Sequence, residues 1–354
     1  MAAPTGRDPE ASRLGIEAWL RQRLEVDVVQ VSQLKIPRAG FSNETILGDA
    51  QWWDREVVEH RRPFALRIEA SSHQLFQNPD AMRQAAVMTA LAGHVPVPGV
   101  WLTEDDRSLF GAPFFLMDRV DGRIPPDLPS WHAKGWVKEL LPEERARLYD
   151  NGLAALAALH RVDVGRLRFL EIEGPGSSLE RYLAHIERWY RWCAPSIGLG
   201  AETIHAAMAY VLSHAPDDRG AQVSWGDARV GNMVFADDLS VAAMLDWEGT
   251  LIAPQGVDVG WWLMFEEYLS DAQGLRRLDG VADRLGTIER YQELSGQRLV
   301  AVEYYELVAC LVFALINSRL VEILLAGGNV EPDVAALIVG RVVDMIVRRL
   351  PGRA

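Results

Sequence analysis

The apolar pattern of this chain changes character once, near Gly122, and the change limits it to a fold with a strand-rich first part and a helix-rich second part. Before Gly122, strand-like runs at residues 28–36, 44–47, 64–68, near Val100 and at 114–117 surround a helical pattern at 80–92, all preceded by a helix at 10–24. That order describes an antiparallel sheet carrying one helix. After Gly122, Pro125, Pro126, Pro129 and Pro142 bracket an irregular stretch, and spacing of three and four takes over at 143–160, 178–193, 302–325 and 334–350. The expected architecture is α+β: a small antiparallel-sheet lobe over 1–119 and a larger helical lobe over 120–354, linked near 118–122.

Charge narrows the partners. Residues 1–119 hold 13 basic and 16 acidic side chains against 23 and 33 in 120–354, so the second part carries ten of the thirteen net negative charges. An acidic excess of this size repels a polyanion and argues against nucleic acid. The two cysteines, Cys193 and Cys310, lie far apart in apolar helical stretches, which suits neither a disulfide framework nor zinc and points to a reducing cytoplasm. The N-terminus lacks a basic and apolar leader, and the longest strongly apolar run, 307–316, is too short for a bilayer, so no membrane partner is expected.

The only β-rich passage of the second part, 222–246, contains Ser224-Trp-Gly-Asp-Ala-Arg-Val-Gly-Asn232, followed fourteen residues later by Asp246-Trp-Glu248. Phosphoryl transfer needs a carboxylate to orient and deprotonate an attacking hydroxyl, and hard oxygen ligands for the magnesium that bridges phosphates. Two acids and an amide on loops flanking a short hairpin supply both. Arg229 adds a cation able to neutralise charge developing on the transferred group. Each dipeptide alone, Gly226-Asp227 or Gly231-Asn232, reads as a turn; their joint spacing with Asp246 does not.

These residues resemble the aminoglycoside phosphotransferase and choline kinase superfamily, and most nearly the kinase-like domains found fused to acyl-CoA dehydrogenases, in which an Arg follows the Asp by two and a Gly precedes the Asn. The resemblance implies a two-lobed protein-kinase-like fold, ATP and Mg2+ as cofactors, and a small-molecule hydroxyl as acceptor. It implies Asp227 as base, Asn232 and Asp246 as metal ligands, and Asp258 as an acid that caps the following helix and steadies the catalytic loop. Trp225 stands where the family usually has His. Glu248 is open between approach to a second metal and capping of the next segment.

In the first part, the run 39–45 resembles the phosphate-covering hairpin, with Ser42 and Asn43 offering donors and Gly40 allowing close backbone approach. Arg67 occupies the position of the phosphate-pairing lysine, although Gln84 replaces the glutamate that usually pairs with it. Residues 114–122 resemble the hinge, with Met117 lining an adenine pocket and the backbone of Asp118 and Val120 meeting the base. His160 reads as packing or a hydrogen bond. A non-catalytic nucleotide-binding regulator and a metal-dependent hydrolase are the alternatives; the intact Asp227, Asn232 and Asp246 argue against the first, and the absence of clustered histidines against the second. Trp131, Trp136 and Trp261 suggest an acceptor with apolar character.

Overall fold

Strands β1 (Val29–Val31), β2 (Glu44–Trp53), β3 (Glu59–Ile68), β4 (Val100–Glu104) and β5 (Phe114–Asp118) form an antiparallel sheet in the order β1-β2-β3-β5-β4, with α1 (Pro9–Leu24) and α2 (Ala81–Leu91) beside it. The computed structural model describes residues 7–36, 43–70 and 74–351. Its chain divides into two units, Met1–Ala92 with Pro98–Val120, and Gly93–Val97 with Asp121–Ala354.

The β2–β3 hairpin is longer at its turn end than the sequence suggests, because that half of β3 is polar or half-exposed and carries no apolar alternation. Its turn is closed by the Asp54 carboxylate, which accepts from the amides of Glu56 and Val58 at 2.9 and 3.0 Å. By contrast β1 covers only three of the nine residues expected at 28–36, with a single further bridge from Lys35 to Leu47. Helix α1 begins where the Asp8 side chain accepts from Glu10 N. It buries Ile16, Trp19 and Leu20, spaced by three and four, against Phe64, Leu66, Ile68 and Phe114 of the sheet. Each such side chain contributes about 1.5–3 kcal/mol relative to exposure.

The second unit is built from α3 (Trp136–Glu139), α4 (Pro142–His160), α5 (Ser178–Cys193), α6 (Ala201–Ser213), β6 (Gln222–Ser224), β7 (Met233–Phe235), β8 (Val241–Met244), β9 (Leu251–Ala253), α7 (Gly256–Leu269), α8 (Arg284–Ser295), α9 (Val302–Ala326) and α10 (Pro332–Arg349). Strand β6 pairs with β9 and β7 with β8, so two small ladders sit amid helices. Helix α9 packs on α7 and α10. Against the estimate from the run 307–316, α9 is long and apolar enough by length and composition to cross a membrane, and 61% of its apolar window is buried inside the fold. Cys193 and Cys310 are both free, and burial pushes each thiol up to about 12, where it stays protonated and inert.

Candidate active site

The segment after β6 turns at Gly226, whose φ is +88°. A Cβ there would fall 2.3 Å from the Gly249 carbonyl oxygen, so the two loops approach at a distance only glycine permits. Gly226→Ala is therefore expected to destabilise the protein by about 2 kcal/mol or more, read as a lower midpoint in chemical denaturation. An unchanged midpoint would mean that the loops separate at little cost.

Beyond this turn the Asp227 carboxylate is fixed from both sides. Its Oδ1 accepts from Arg229 Nε at 2.9 Å and from Trp261 Nε1 at 2.8 Å, while Oδ2 accepts from Asn232 Nδ2 at 2.7 Å. Asn232 Nδ2 also donates to the Asp227 carbonyl at 3.0 Å. Committing the amide nitrogen in this way turns Oδ1 of Asn232, the hard oxygen a cation would use, away from Asp227. The β7–β8 register pairs Met233 with Met244, and Leu245 N donates to Asn232 O at 2.8 Å, so Asp246 follows directly beside Asn232. Asp246 adopts left-handed backbone, φ 60° and ψ 63°, a conformation that costs a non-glycine residue energy and recurs at functional sites. An amide oxygen beside a carboxylate is a donor set that suits Mg2+.

Arg229 is shared. Its guanidinium also donates to Asp127 Oδ2 and lies 4.9 Å over the Phe265 ring. Burial alone works against its charge, but the Asp227 and Asp127 carboxylates more than offset that and hold its pKa above the ordinary guanidinium value. A Cβ on Gly231 would come within 2.5 Å of both the guanidinium and Asp127, which explains the glycine preceding Asn232.

Asp258 is a hub, and here the structure corrects the sequence reading. Helix α7 has Gln255 at its N-cap, and the Asp258 carboxylate accepts from no amide of its own helix among the described hydrogen bonds. Instead it accepts from Trp225 N at 2.7 Å, Gly226 N at 2.9 Å and Ser224 Oγ at 2.9 Å, with His160 Nε2 2.9 Å away. His160 in turn lies 2.6 Å from the Tyr291 hydroxyl. Trp225, in place of the usual histidine, is fully buried and donates to the Leu245 carbonyl at 2.9 Å, tying the Asp227 loop to the one leading into Asp246.

In the first unit, Arg67 Nη1 donates to Thr45 Oγ1 at 2.8 Å across the β2–β3 register, and Asn43 Oδ1 accepts from Ala70 N at 3.1 Å. Ser42 and Gly40 lie outside the described residues. Gln84 is buried, so it is a core residue of α2. Met117 is half-buried on β5; the Asp118 side chain pairs with Arg62, and its amide donates to the Gly99 carbonyl at 2.8 Å, which removes that amide from any base edge.

The model of the phosphotransferase enzyme family matches residues 45–294, well over half of the chain. This chain belongs to that family. The chain is 29% identical over 252 residues to a probable acyl-CoA dehydrogenase of Arabidopsis thaliana, covering 66% of this chain, and 27% identical over 256 residues to acyl-CoA dehydrogenase family member 11 of Homo sapiens, covering 71%. It spans only 28% and 30% of the length of those relatives. Its fold is shared with a crystal structure from Ralstonia eutropha provisionally named an aminoglycoside phosphotransferase, with TM-score 0.70, 24% identity and 96% of each chain covered. It is shared also with a mutant of aminoglycoside phosphotransferase APH(4)-Ia held with AMP-PNP and hygromycin B, with TM-score 0.59, 16% identity, and 96% and 99% covered. The expected two-lobed α+β fold and the resemblance to fused kinase-like domains are both borne out.

Trp261, which donates to Asp227, and Asp127, which holds Arg229 beside it, were not assigned those roles from sequence. Trp261 stood out only as a possible wall, and Asp127 carried no signal beyond its proline-rich surroundings. Trp131, expected to face an acceptor, is 1% exposed and stacks on His132, so it belongs to the core.

Proposed function

We propose that this phosphotransferase moves the γ-phosphate of ATP to a hydroxyl of a small molecule. The observation that carries this reading is the Asp227 carboxylate, held by the side-chain donors of Arg229, Asn232 and Trp261. Asp227 orients the attacking hydroxyl and takes its proton. Asn232 and Asp246 are the residues that would hold Mg2+, which would supply positive charge to offset that of the phosphates. Arg229, although paired to two carboxylates, places a fixed cation beside the acceptor hydroxyl. In the first unit we assign Arg67 to the phosphates, Ser42 and Asn43 to their cover, and Met117, the carbonyl of Asp118 (its amide being committed to Gly99) and the backbone of Val120 to the base.

Asp246→Ala is expected to make ATP affinity insensitive to magnesium, because a cation held by few protein ligands depends on each carboxylate among them. Calorimetric titration of ATP with and without magnesium reads this directly. A metal dependence equal to that of the unaltered protein would assign the cation to other residues.

The acceptor we propose carries apolar character. Trp261, Phe265 and Phe313 pack with centroids 4.8–5.9 Å apart, and Phe265 lies under Arg229, which gives the surroundings of Asp227 an aromatic side. Such a wall suits a hydroxylated acyl compound better than a polycationic sugar. The structural neighbours that hold hygromycin B and kanamycin supply the contrary case. Kanamycin-type compounds are therefore expected to be turned over poorly in a coupled ATPase assay; efficient turnover would overturn the acceptor class and leave the kinase reading standing.

A further inference from the structure

A second site lies in the helical unit, away from the hydrogen bonds of Asp227. Lys138, Arg145, Arg276 and Arg277, with Asp279 and His132, line a cavity of about 380 Å³. Four cations against one carboxylate stand out in a chain of net charge -13. Asp279 is already taken by Arg276 at 2.6 Å, Glu144 accepts from Leu141 N, and the buried Glu266 is not among the lining residues but lies 3.4 Å from His132.

Arg145 decides the matter. It is 9% exposed, its Nε is buried without a hydrogen-bond partner, and it projects from the first turns of α4, where the helix dipole already disfavours a cation. A buried charge in that position is costly unless an anion answers it. The neighbouring loop is held close: Gly280 has φ +94°, and a Cβ there would fall 1.9 Å from the Pro142 carbonyl oxygen, so the loop bearing Arg276, Arg277 and Asp279 packs tightly on the start of α4. The cavity is thus built into the fold.

We infer that this cavity binds a phosphate group, with Arg145 as its buried anchor and Lys138, Arg276 and Arg277 around it. Guanidinium forks match phosphate oxygens in a bidentate way, and several cations together favour a multiply charged anion over a lone carboxylate. The volume exceeds what a single phosphate fills, so the ligand is a phosphorylated small molecule, with the free ion as the other source of the same chemistry. This assignment does not depend on the proposed kinase activity.

The test is calorimetric titration of the full chain with inorganic phosphate, pyrophosphate and glycerol 3-phosphate, with the variants below separating this cavity from any nucleotide site. Affinity is expected to fall about tenfold or more in Arg145→Gln. Because a buried position can fail to fold, the exposed pair Lys138→Ala with Arg276→Ala is made alongside, and it should weaken binding by a similar factor with an unchanged melting temperature. Tighter binding of glycerol 3-phosphate than of phosphate supports the phosphorylated small molecule, and the reverse assigns the cavity to the free ion. Absence of binding by all three anions, or equal affinity in both variants and the unaltered protein, overturns the site.

Discussion

Asp227→Asn is expected to lower phosphoryl transfer by about a hundredfold or more, because an amide cannot accept the proton of the attacking hydroxyl. The structure adds a second consequence. All three donors at Asp227 point at carboxylate oxygens, two at Oδ1 and one at Oδ2. An amide can keep its oxygen towards Arg229 and Trp261, but its NH2 group then confronts Asn232 Nδ2 donor to donor. Asn232 must turn, and the oxygen assigned to the metal turns with it. The variant should therefore remain folded, lose turnover, and show weaker magnesium dependence of ATP affinity than the unaltered protein. Steady-state kinetics with calorimetry separates the two effects; turnover near that of the unaltered protein in a folded variant would remove Asp227 from the chemistry.

Asp258→Ala is expected to have the largest effect on stability. Its carboxylate is fully buried and accepts from two backbone amides and a hydroxyl, with His160 at 2.9 Å. Removing it leaves buried donors with no acceptor, at a cost of about 3–5 kcal/mol, a large part of the typical stability of about 5–15 kcal/mol. Activity should fall as well, since the amides released are those of Trp225 and Gly226, immediately before Asp227. Asp258→Asn keeps the shape but can accept only through one oxygen, and should lie between the two. Denaturation midpoints measure the series, and an alanine variant within about 1 kcal/mol of the unaltered protein would show that the loop holds without the hub.

What could be read from the sequence follows the range of the contacts. Asp227, Asn232 and Asp246 were legible because they sit within one short loop and hairpin, where spacing along the chain is close to spacing in the fold. Asp127 reaches Arg229 across 102 residues, and nothing local marks it. Asp258 was visible as an acid near a helix start, yet which amides it serves depends on the β6–β9 pairing that brings Ser224 opposite Leu251. Helix α7 gave no amphipathic period because it is buried on nearly every face, as a helix inside a core must be. The turn-side ends of β2 and β3 were missed for the opposite reason: 59–62 is polar and exposed or half-buried, and its strand character comes from pairing across the hairpin.

The most direct test of the central claim follows the phosphorus atom. Purified full-length chain is incubated with γ-labelled ATP, magnesium and a pool of hydroxylated metabolites, and the products are separated by chromatography. The expected result is label in a phosphate monoester of an organic hydroxyl, formed only with magnesium and lost in Asp227→Asn. Label found solely as inorganic phosphate, or an equal yield of monoester from Asp227→Asn, would contradict transfer to a hydroxyl with Asp227 as base.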